Sequence, residues 1–125
     1  MTHHKKILVV DDSDASRSIL GLILRRSLGY EMIEAATGNE AVRKAISEKP
    51  DLIIMDLGLP EISGVAATKV IKENSDTAHI PIIAHTVWPA DSHREEALNA
   101  GMADYLQKPV SMGLMASTIE KFLPH

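Results

Sequence analysis

The sequence contains no cysteine. A disulfide framework, a thiolate metal cluster and a cysteine nucleophile are therefore excluded, and the composition fits a reducing compartment. Aromatic residues are scarce as well, at 3%, with one Trp, two Tyr and one Phe. So few rings argue against a protein that stacks a flavin between aromatic side chains.

Long hydrophobic runs and an excess of basic residues are also missing. The first apolar run covers residues 7–10 and ends at Asp11. It is too short for a signal peptide or a membrane span, so we expect a soluble cytoplasmic protein without a membrane partner. The 13 Lys and Arg are outnumbered by 17 Asp and Glu, for a net charge of −4. No basic stripe is available for a phosphate backbone, and nucleic acid is not an expected partner.

The length of 125 residues, 45% of them hydrophobic, predicts one domain over residues 1–125. Two domains are excluded by size. The segment that contains His3 and His4 indicates a solvated tail, and residues 1–5 are expected to be flexible. The two histidines could bind a metal ion, although a lone pair in a mobile terminus rarely does so.

Short apolar runs alternate with stretches of helical periodicity, and turn residues mark most junctions. The predicted strands are residues 7–10, 32–35, 52–55, 80–84 and 104–106. The first helix is predicted over residues 14–28, with Gly29 as its stop. Its expected buried face carries Ala15, Ile19, Leu20, Ile23 and Leu24.

Capping patterns mark the remaining helices. Thr37 and Glu40 form a capping box at the second helix, which ends near Pro50. The third begins at Ser63 or Gly64, and the fourth begins with Ser92 and Glu95 at capping-box spacing and ends at Gly101. Their expected buried or packing residues, with those of the fifth helix, are Ala41, Val42, Ala45, Ile46, Ala67, Val70, Ile71, Leu114, Met115, Thr118, Ile119, Phe122 and Leu123.

Five strands that alternate with five amphipathic helices predict parallel strands joined by crossover helices. The continuous apolar run over residues 52–55 agrees, since a sheet with one solvated face would show alternating polarity. The predicted fold class is α/β: a three-layer, doubly wound (βα)5 sandwich around a parallel five-stranded sheet.

Polar residues follow four of the predicted strands, at the edge where such sheets bind ligands. They are Asp11, Asp12, Asp56, Thr86 and Lys108. Each also has an ordinary explanation, since an Asp can cap a helix or occupy a turn, a Thr can end a strand, and a Lys is usually solvated. The joint occurrence of all five residues at one edge favours a binding site.

Three neighbouring carboxylates repel one another, by about 4 kcal/mol for a pair at 4 Å and an effective dielectric constant of 20. A hard cation relieves this repulsion, and Mg²⁺ accepts one or two carboxylates together with phosphate oxygens. Lys108 and Thr86 could hold the same phosphoryl group, and Asp56 is a natural nucleophile because a carboxylate can form an aspartyl phosphate.

This set resembles the receiver domain of two-component response regulators, the CheY-like superfamily. The residues that carry the resemblance are Asp11-Asp12, Asp56-Leu57-Gly58-Leu59-Pro60, Gly64, Thr86, Tyr105 and Lys108-Pro109. The resemblance spans essentially the whole chain. It implies a flavodoxin-like sheet of strand order 2-1-3-4-5.

The resemblance further implies that Asp56 is the phosphorylation site. Its phosphoryl group would come from a phosphohistidine on a sensor histidine kinase or a histidine phosphotransfer protein. With Asp56, Asp12 would bind Mg²⁺ directly, Asp11 mainly through water, and Gly58 through its main-chain carbonyl. Lys108 would hold a phosphoryl oxygen, and its bond to Pro109 is expected to be cis.

The same resemblance predicts a switch at Thr86 and Tyr105. Phosphorylation would draw in Thr86, favour an inward Tyr105 and change the surface formed by the fourth helix, fifth strand and fifth helix. A downstream protein would bind that surface, with the receiver as a monomer or a phosphorylation-dependent dimer. Such a domain is a phospho-acceptor and not an enzyme, apart from self-catalysed phosphotransfer and dephosphorylation.

Three residues depart from the usual family pattern. Val87 stands where a small residue is common, Trp88 follows it, and Gly58 has no side chain to position water. We expect Val87 and Trp88 to shield the site and slow autodephosphorylation; alternatively, Trp88 points to solvent or a partner. His85 is expected to be a buried neutral histidine with a hydrogen bond rather than a pH sensor.

Several alternatives stay open. A phosphatase of the haloacid dehalogenase type needs a second acid where Gly58 stands, and a flavodoxin-like flavin binder would meet repulsion from Asp11 and Asp12. A receiver-like scaffold that is never phosphorylated is a third possibility. We expect a stand-alone receiver, with excision from a longer regulator or hybrid kinase as the alternative. Docking specificity is expected in exposed residues of the first helix and its neighbours, such as Ser16, Arg17 and Leu20.

Overall fold

The structure is a computed structural model of the chain and describes residues 5–123. Strands and helices alternate along this part of the chain. Their order is β1 (Lys6–Val10), α1 (Asp14–Leu22), β2 (Glu31–Ala35), α2 (Gly38–Glu48), β3 (Leu52–Met55), α3 (Gly64–Glu73), β4 (Ile82–Thr86), α4 (Ala90–Ala100), β5 (Asp104–Gln107) and α5 (Met112–Phe122).

The five strands form one parallel sheet in the order β2-β1-β3-β4-β5. This order confirms the predicted topology. Each face of the sheet has its own core. On one face β1 and β3 contribute Leu8 and Ile53 to a cluster with residues of α2, α3 and α4, and on the other Ile7 and Ile54 pack with residues of α1 and α5. Both faces are therefore covered, as the unbroken apolar strands predicted.

The first helix changes its winding near its end. Residues 23–27 continue α1 as a π-helical turn, and the amide of Leu28 donates to the carbonyl of Ile23 at 3.1 Å. Single π-helical turns are rare and occur mostly within or beside α-helices. The predicted helix over residues 14–28 is thus present, but its last turn is wider than an α-helix.

The predicted bounds of β4 and α4 were wrong; β4 also ends at Thr86 and not at residue 84, and β1, β2 and β5 each extend one residue beyond their predicted bounds. Strand β4 begins at Ile82 and not at residue 80, because Pro81 has no amide hydrogen for the ladder and the amide of Ile80 donates instead to Thr77. Helix α4 begins at Ala90, so Ser92 lies in its first turn and is not the cap. The carbonyl of Pro89 accepts from the amides of Ser92 and His93, which places the start before the predicted capping box.

The predicted buried faces were too wide. Ala15 is exposed, and so are Ile19 (62%), Ile46, Val70 and Leu114. Each helix contacts the sheet along a narrower strip than its apolar stripe, so residues at the stripe's edge project past the sheet. These exposed side chains lie on surfaces that partners can reach.

The second helix confirms one half of its predicted capping box. The hydroxyl of Thr37 accepts from the amide of Glu40 at 3.0 Å. The carboxylate of Glu40, however, accepts from the amide of Ala36 at 2.7 Å and not from that of Thr37. This hydrogen bond lowers the pKa of Glu40, although burial acts against it.

Residues 1–4 of the predicted tail, including His3 and His4, lie outside the described residues. Lys5 is joined to the sheet, because its carbonyl accepts a hydrogen bond from the amide of Glu31 at 2.9 Å. The flexible tail over residues 1–5 stays a prediction. Among the helices within residues 5–123, none has both the length and the apolar content required to cross a bilayer.

Candidate functional site

Parallel pairing brings the carboxyl ends of the central strands to one edge. Val10 pairs with Met55, and Met55 pairs with Ala84, so Asp11 and Asp56 follow neighbouring strands at the same level. The amide of Asp56 donates to the carbonyl of Val10 at 2.9 Å, which continues the ladder between β1 and β3 one residue beyond the end of β3. The residues that sequence analysis placed at strand ends therefore share one edge of the sheet.

An acidic cluster lies at this edge. Asp11, Asp12 and Asp56 each offer a carboxylate oxygen, and these atoms lie within 4.8 Å of one another. Asp11 is buried, with 4% of its surface exposed, whereas Asp12 is exposed. Because a hard divalent cation prefers oxygen ligands and relieves repulsion between carboxylates, this donor set fits Mg²⁺.

Lys108 places a positive charge beside the acidic cluster. Its Nζ lies 2.6 Å from Oδ2 of Asp11 and 3.5 Å from Oδ2 of Asp56. Burial acts to lower the pKa of Lys108, but the hydrogen bond to Asp11 and the charge of Asp56 outweigh it, and the pKa is raised. The bond from Lys108 to Pro109 is cis, as the resemblance implies, and the amide of Lys108 donates to Thr86.

The carboxylate of Asp56 is hydrogen-bonded to main-chain amides of the loop that follows it. Its Oδ1 accepts from the amide of Leu57 at 2.7 Å and from that of Gly58 at 3.4 Å. Its side chain retains 13% exposure, so one carboxylate can reach a reactant from solvent. Gly64 is required nearby, since a Cβ at that position would lie 2.0 Å from the carbonyl oxygen of Asp56.

The two predicted switch residues hold the same residue of the β4–α4 loop. The hydroxyl of Thr86 accepts from the amide of Trp88 at 3.3 Å, and the phenol of Tyr105 donates to the carbonyl of Trp88 at 2.7 Å. Tyr105 is inward, with 5% exposure. Burial and the negative charge of Asp56 raise the pKa of its phenol.

The indole of Trp88 lies against the loop that follows Asp56. A Cβ on Gly58 would lie 3.0 Å from Cζ2 of Trp88, and the indole also packs against His93, with ring centroids 4.8 Å apart. Val87, in contrast, is 65% exposed. Of the two expected shielding residues, Trp88 is the one that lies against the loop after Asp56.

His85 lies one residue before Thr86. It is half-buried, and its pKa is lowered to about 4, first by burial and then by the charge of Lys108. The imidazole is therefore neutral near pH 7, as expected. Within residues 5–123 its ring makes no hydrogen bond, so that part of the expectation was wrong.

The predicted docking residues of α1 need correction. Leu20 is 5% exposed, and the side chain of Arg17 is 13% exposed and bound to neighbouring groups. Ile19 is the exposed hydrophobic residue of this turn, at 62%. Helical periodicity could not separate these neighbours, because their order of exposure depends on where α5 and β2 lie.

Comparison with known proteins identifies the family. The sequence model of the response regulator receiver domain family matches residues 7–120. The chain belongs to the response regulator receiver family. It is thus a signalling domain of two-component systems, with the predicted fold.

Individual relatives align along nearly the whole receiver. The polar-differentiation response regulator DivK of Brucella anthropi is 34% identical over 119 residues, which cover 95% of this chain and 96% of the relative. The receiver domain of a Pseudomonas aeruginosa sensor histidine kinase is 34% identical with a TM-score of 0.90, covering 98% and 100% of the two chains. That structure holds a magnesium ion in its active-site cleft. Chemotaxis protein CheY4 of Vibrio cholerae is 29% identical with a TM-score of 0.88, covering 96% and 99%.

Proposed function

We propose that this receiver accepts a phosphoryl group on Asp56 from a phosphohistidine of a sensor histidine kinase or a histidine phosphotransfer protein. The observation that carries the proposal is the cluster of three carboxylates within 4.8 Å, with Lys108 bound between two of them. A metal-binding carboxylate pair, a nucleophilic carboxylate and a fixed cation are the groups that phosphoryl transfer to an aspartate requires.

In the transfer step a carboxylate oxygen of Asp56 forms a bond to phosphorus, and the bond from phosphorus to the donor's imidazole nitrogen breaks. Lys108 lies 3.5 Å from Oδ2 of Asp56 and can balance negative charge that the incoming phosphoryl oxygens add. The hydroxyl of Thr86 accepts from the amide of Trp88, which leaves its own hydrogen available for a phosphoryl oxygen.

Asp11, Asp12, Asp56 and the carbonyl of Gly58 are the proposed ligands of Mg²⁺. When bound, the ion would neutralise the carboxylates and the incoming phosphoryl oxygens. The magnesium in the cleft of the Pseudomonas aeruginosa receiver supports this assignment.

A groove beside the acceptor site is the proposed docking surface for the phosphodonor. It lies between α1 and α5, has a volume of about 290 Å³, and Lys108 and His85 form part of its wall. Its apolar lining is contributed by Ile19, Leu20, Ile23, Pro109, Val110 and Met115. An amphipathic helix that carries the phosphohistidine could lay its apolar face in this groove.

The proposed output surface is formed by α4, β5 and α5. Leu98 of α4 and Leu114 of α5 are 38% and 50% exposed, and the side chain of Gln107 in β5 accepts from the amide of Ala90 in α4. Tyr105 links this surface to the loop that borders the site. We propose that phosphorylation changes this surface for a protein target, or for a second receiver in a phosphorylation-dependent dimer.

Intact mass spectrometry tests the proposed chemistry. Wild type and Asp56→Asn are incubated with Mg²⁺ and acetyl phosphate, with and without a chelator. One added phosphoryl group on wild type alone, lost with the chelator, is the expected result. No adduct on wild type after rapid sampling, with a phosphohistidine donor also tried, would contradict the proposal and favour a receiver-like scaffold that acts without phosphorylation.

A further inference from the structure

Arg17 makes three contacts that the proposed chemistry does not use. Its Nη1 donates to the main-chain carbonyl of Asp11 at 2.5 Å, and its Nε donates to the carboxylate of Glu34 at 3.0 Å. Its Nη2 also donates a hydrogen bond to the carboxylate of Asp14. The side chain is only 13% exposed. One guanidinium thus joins the β1–α1 loop, the start of α1 and the end of β2.

The carbonyl of Asp11 belongs to the peptide group that connects Asp11 to Asp12. Fixing this carbonyl sets the plane of that peptide and hence the position of the Asp12 Cα. The neighbouring contacts complete the restraint: the amide of Asp11 donates to Ala35 at 3.1 Å, and its Oδ1 accepts from the amide of Ser13 at 2.9 Å.

Asp12 depends on this main-chain restraint more than its neighbours do. The carboxylates of Asp11 and Asp56 are hydrogen-bonded to Lys108, whereas the exposed Asp12 carboxylate accepts no hydrogen bond from any residue between 5 and 123. Its place in the acidic cluster therefore follows from the backbone that carries it. Mg²⁺ demands near-octahedral geometry, so a small displacement of one ligand weakens binding.

We propose that Arg17 is a positioning residue for the metal site. It holds the Asp11–Asp12 peptide in the conformation that binds Mg²⁺. The inference rests on the proposed function for the identity of the ion. Arg17 does not touch the ion in this role; it acts through the carbonyl of Asp11. Outer residues that orient metal ligands commonly contribute 10-fold or more to metal affinity.

Positioning and simple electrostatics predict opposite results for the loss of Arg17. Removal of a positive charge beside a carboxylate cluster would by itself strengthen the binding of a cation. Loss of the restraint on the Asp11–Asp12 peptide would weaken it. A purely structural role would lower the free energy of unfolding and leave the affinity of the folded protein for Mg²⁺ unchanged.

The test is a titration of the ¹⁵N-labelled 125-residue chain with MgCl₂, followed through the amide shifts of Asp12, Ser13 and Gly58. In Arg17→Gln we expect the Kd for Mg²⁺ to rise about tenfold. Arg17→Lys keeps the charge but replaces the planar fork with a point cation, and its Kd is expected to rise as well. Arg26→Gln, an exposed arginine just beyond α1, is the charge-matched control and should leave the Kd near the wild-type value.

The amide spectrum and urea unfolding show whether each variant is folded under the titration conditions, and Arg17→Lys serves if Arg17→Gln unfolds. An Arg17 variant that binds Mg²⁺ as tightly as wild type, or more tightly, would overturn the inference. No Mg²⁺-dependent shift in wild type would contradict the metal site itself, and the inference with it. Failure of acetyl phosphate to modify Asp56, with Mg²⁺ binding intact, would contradict only the proposed phosphotransfer.

Discussion

The phenol of Tyr105 donates a hydrogen bond to the main-chain carbonyl of Trp88 at 2.7 Å. The amide of the same tryptophan donates to the hydroxyl of Thr86 at 3.3 Å. Both main-chain polar groups of Trp88 are therefore held by side chains from β4 and β5. A change at Thr86 can reach Tyr105 through a single loop residue.

Tyr105→Phe should loosen this loop without emptying the core. The variant keeps the ring but removes the donor to the carbonyl of Trp88, at an expected cost of about 1 kcal/mol in the free energy of unfolding. We expect faster hydrogen exchange at the amide of Trp88, measured by NMR, together with a lower urea midpoint. Unchanged exchange and an unchanged midpoint would show that the hydrogen bond is not maintained in solution.

Gly64→Ala should destabilise the protein at the loop after Asp56. The added Cβ would lie 2.0 Å from the carbonyl oxygen of Asp56 and 2.9 Å from the Cα of Leu57, both main-chain atoms that cannot move independently. We expect the free energy of unfolding to fall by about 1–3 kcal/mol in urea titrations.

Gly113→Ala is the matched control for that change. No atom lies within 4 Å of its added Cβ, and Gly113 belongs to α5. Since alanine has a higher helix propensity than glycine, the free energy of unfolding of this variant should rise by up to about 1 kcal/mol. Equal destabilisation by both substitutions would contradict the close approach of Gly64 to Asp56.

His85 should make folding stability depend on pH below neutrality. Its pKa is about 4 in the folded protein against 6.5 for the unperturbed group, first because of burial and then because of Lys108. The unfolded chain therefore binds a proton at a pH where the folded chain does not, and stability falls as the pH drops from 6.5 towards 4. The loss is at most about 3 kcal/mol.

Urea unfolding of wild type and His85→Leu across this pH range measures the effect. The variant is expected to show a shallower decline in the free energy of unfolding. His79→Leu makes the same substitution at an exposed position and corrects for the change in composition. Parallel declines in wild type and His85→Leu would contradict the lowered pKa.

Trp88→Ala should shorten the lifetime of phospho-Asp56, provided that Asp56 is phosphorylated as proposed. The indole lies against Gly58, two residues beyond the acceptor, where its bulk restricts the approach of water. We expect dephosphorylation several-fold faster than in wild type, measured by intact mass after removal of acetyl phosphate. Val87→Ala alters a side chain that is 65% exposed and should leave the lifetime unchanged.

A wild-type half-life of seconds or less would count against shielding by Trp88. Equal lifetimes in wild type and Trp88→Ala would do the same.

Much of the fold could be predicted because its signals are local. The apolar run over residues 52–55 indicates a strand buried on both faces, and Thr37 and Gly101 mark helix ends through their own capping geometry. The start of β4 was misplaced because Ile80 is as apolar and as buried as a strand residue. Only its hydrogen bonds show that it belongs to the preceding loop: its amide donates to the carbonyl of Thr77, and its carbonyl accepts from Nζ of Lys72.

The candidate site could be predicted in part for a related reason. The carboxyl ends of parallel strands lie at one edge of the sheet, so the residues at the ends of β1, β3, β4 and β5 share that edge. The role of Arg17 could not be predicted in this way. Its spacing from Asp14 allows a salt bridge within α1, but its partner Glu34 lies at the end of β2.

The sequence by itself determined the alternation of strands and helices, the acidic residues at the strand ends and the family resemblance. These properties reside in short segments whose period and turn chemistry act locally. Only the tertiary structure decided which apolar side chains of α1 are exposed, that Trp88 lies on Gly58, and that Arg17 holds the carbonyl of Asp11. Such contacts join residues from separate elements, and their geometry exists only once the helices are packed against the sheet.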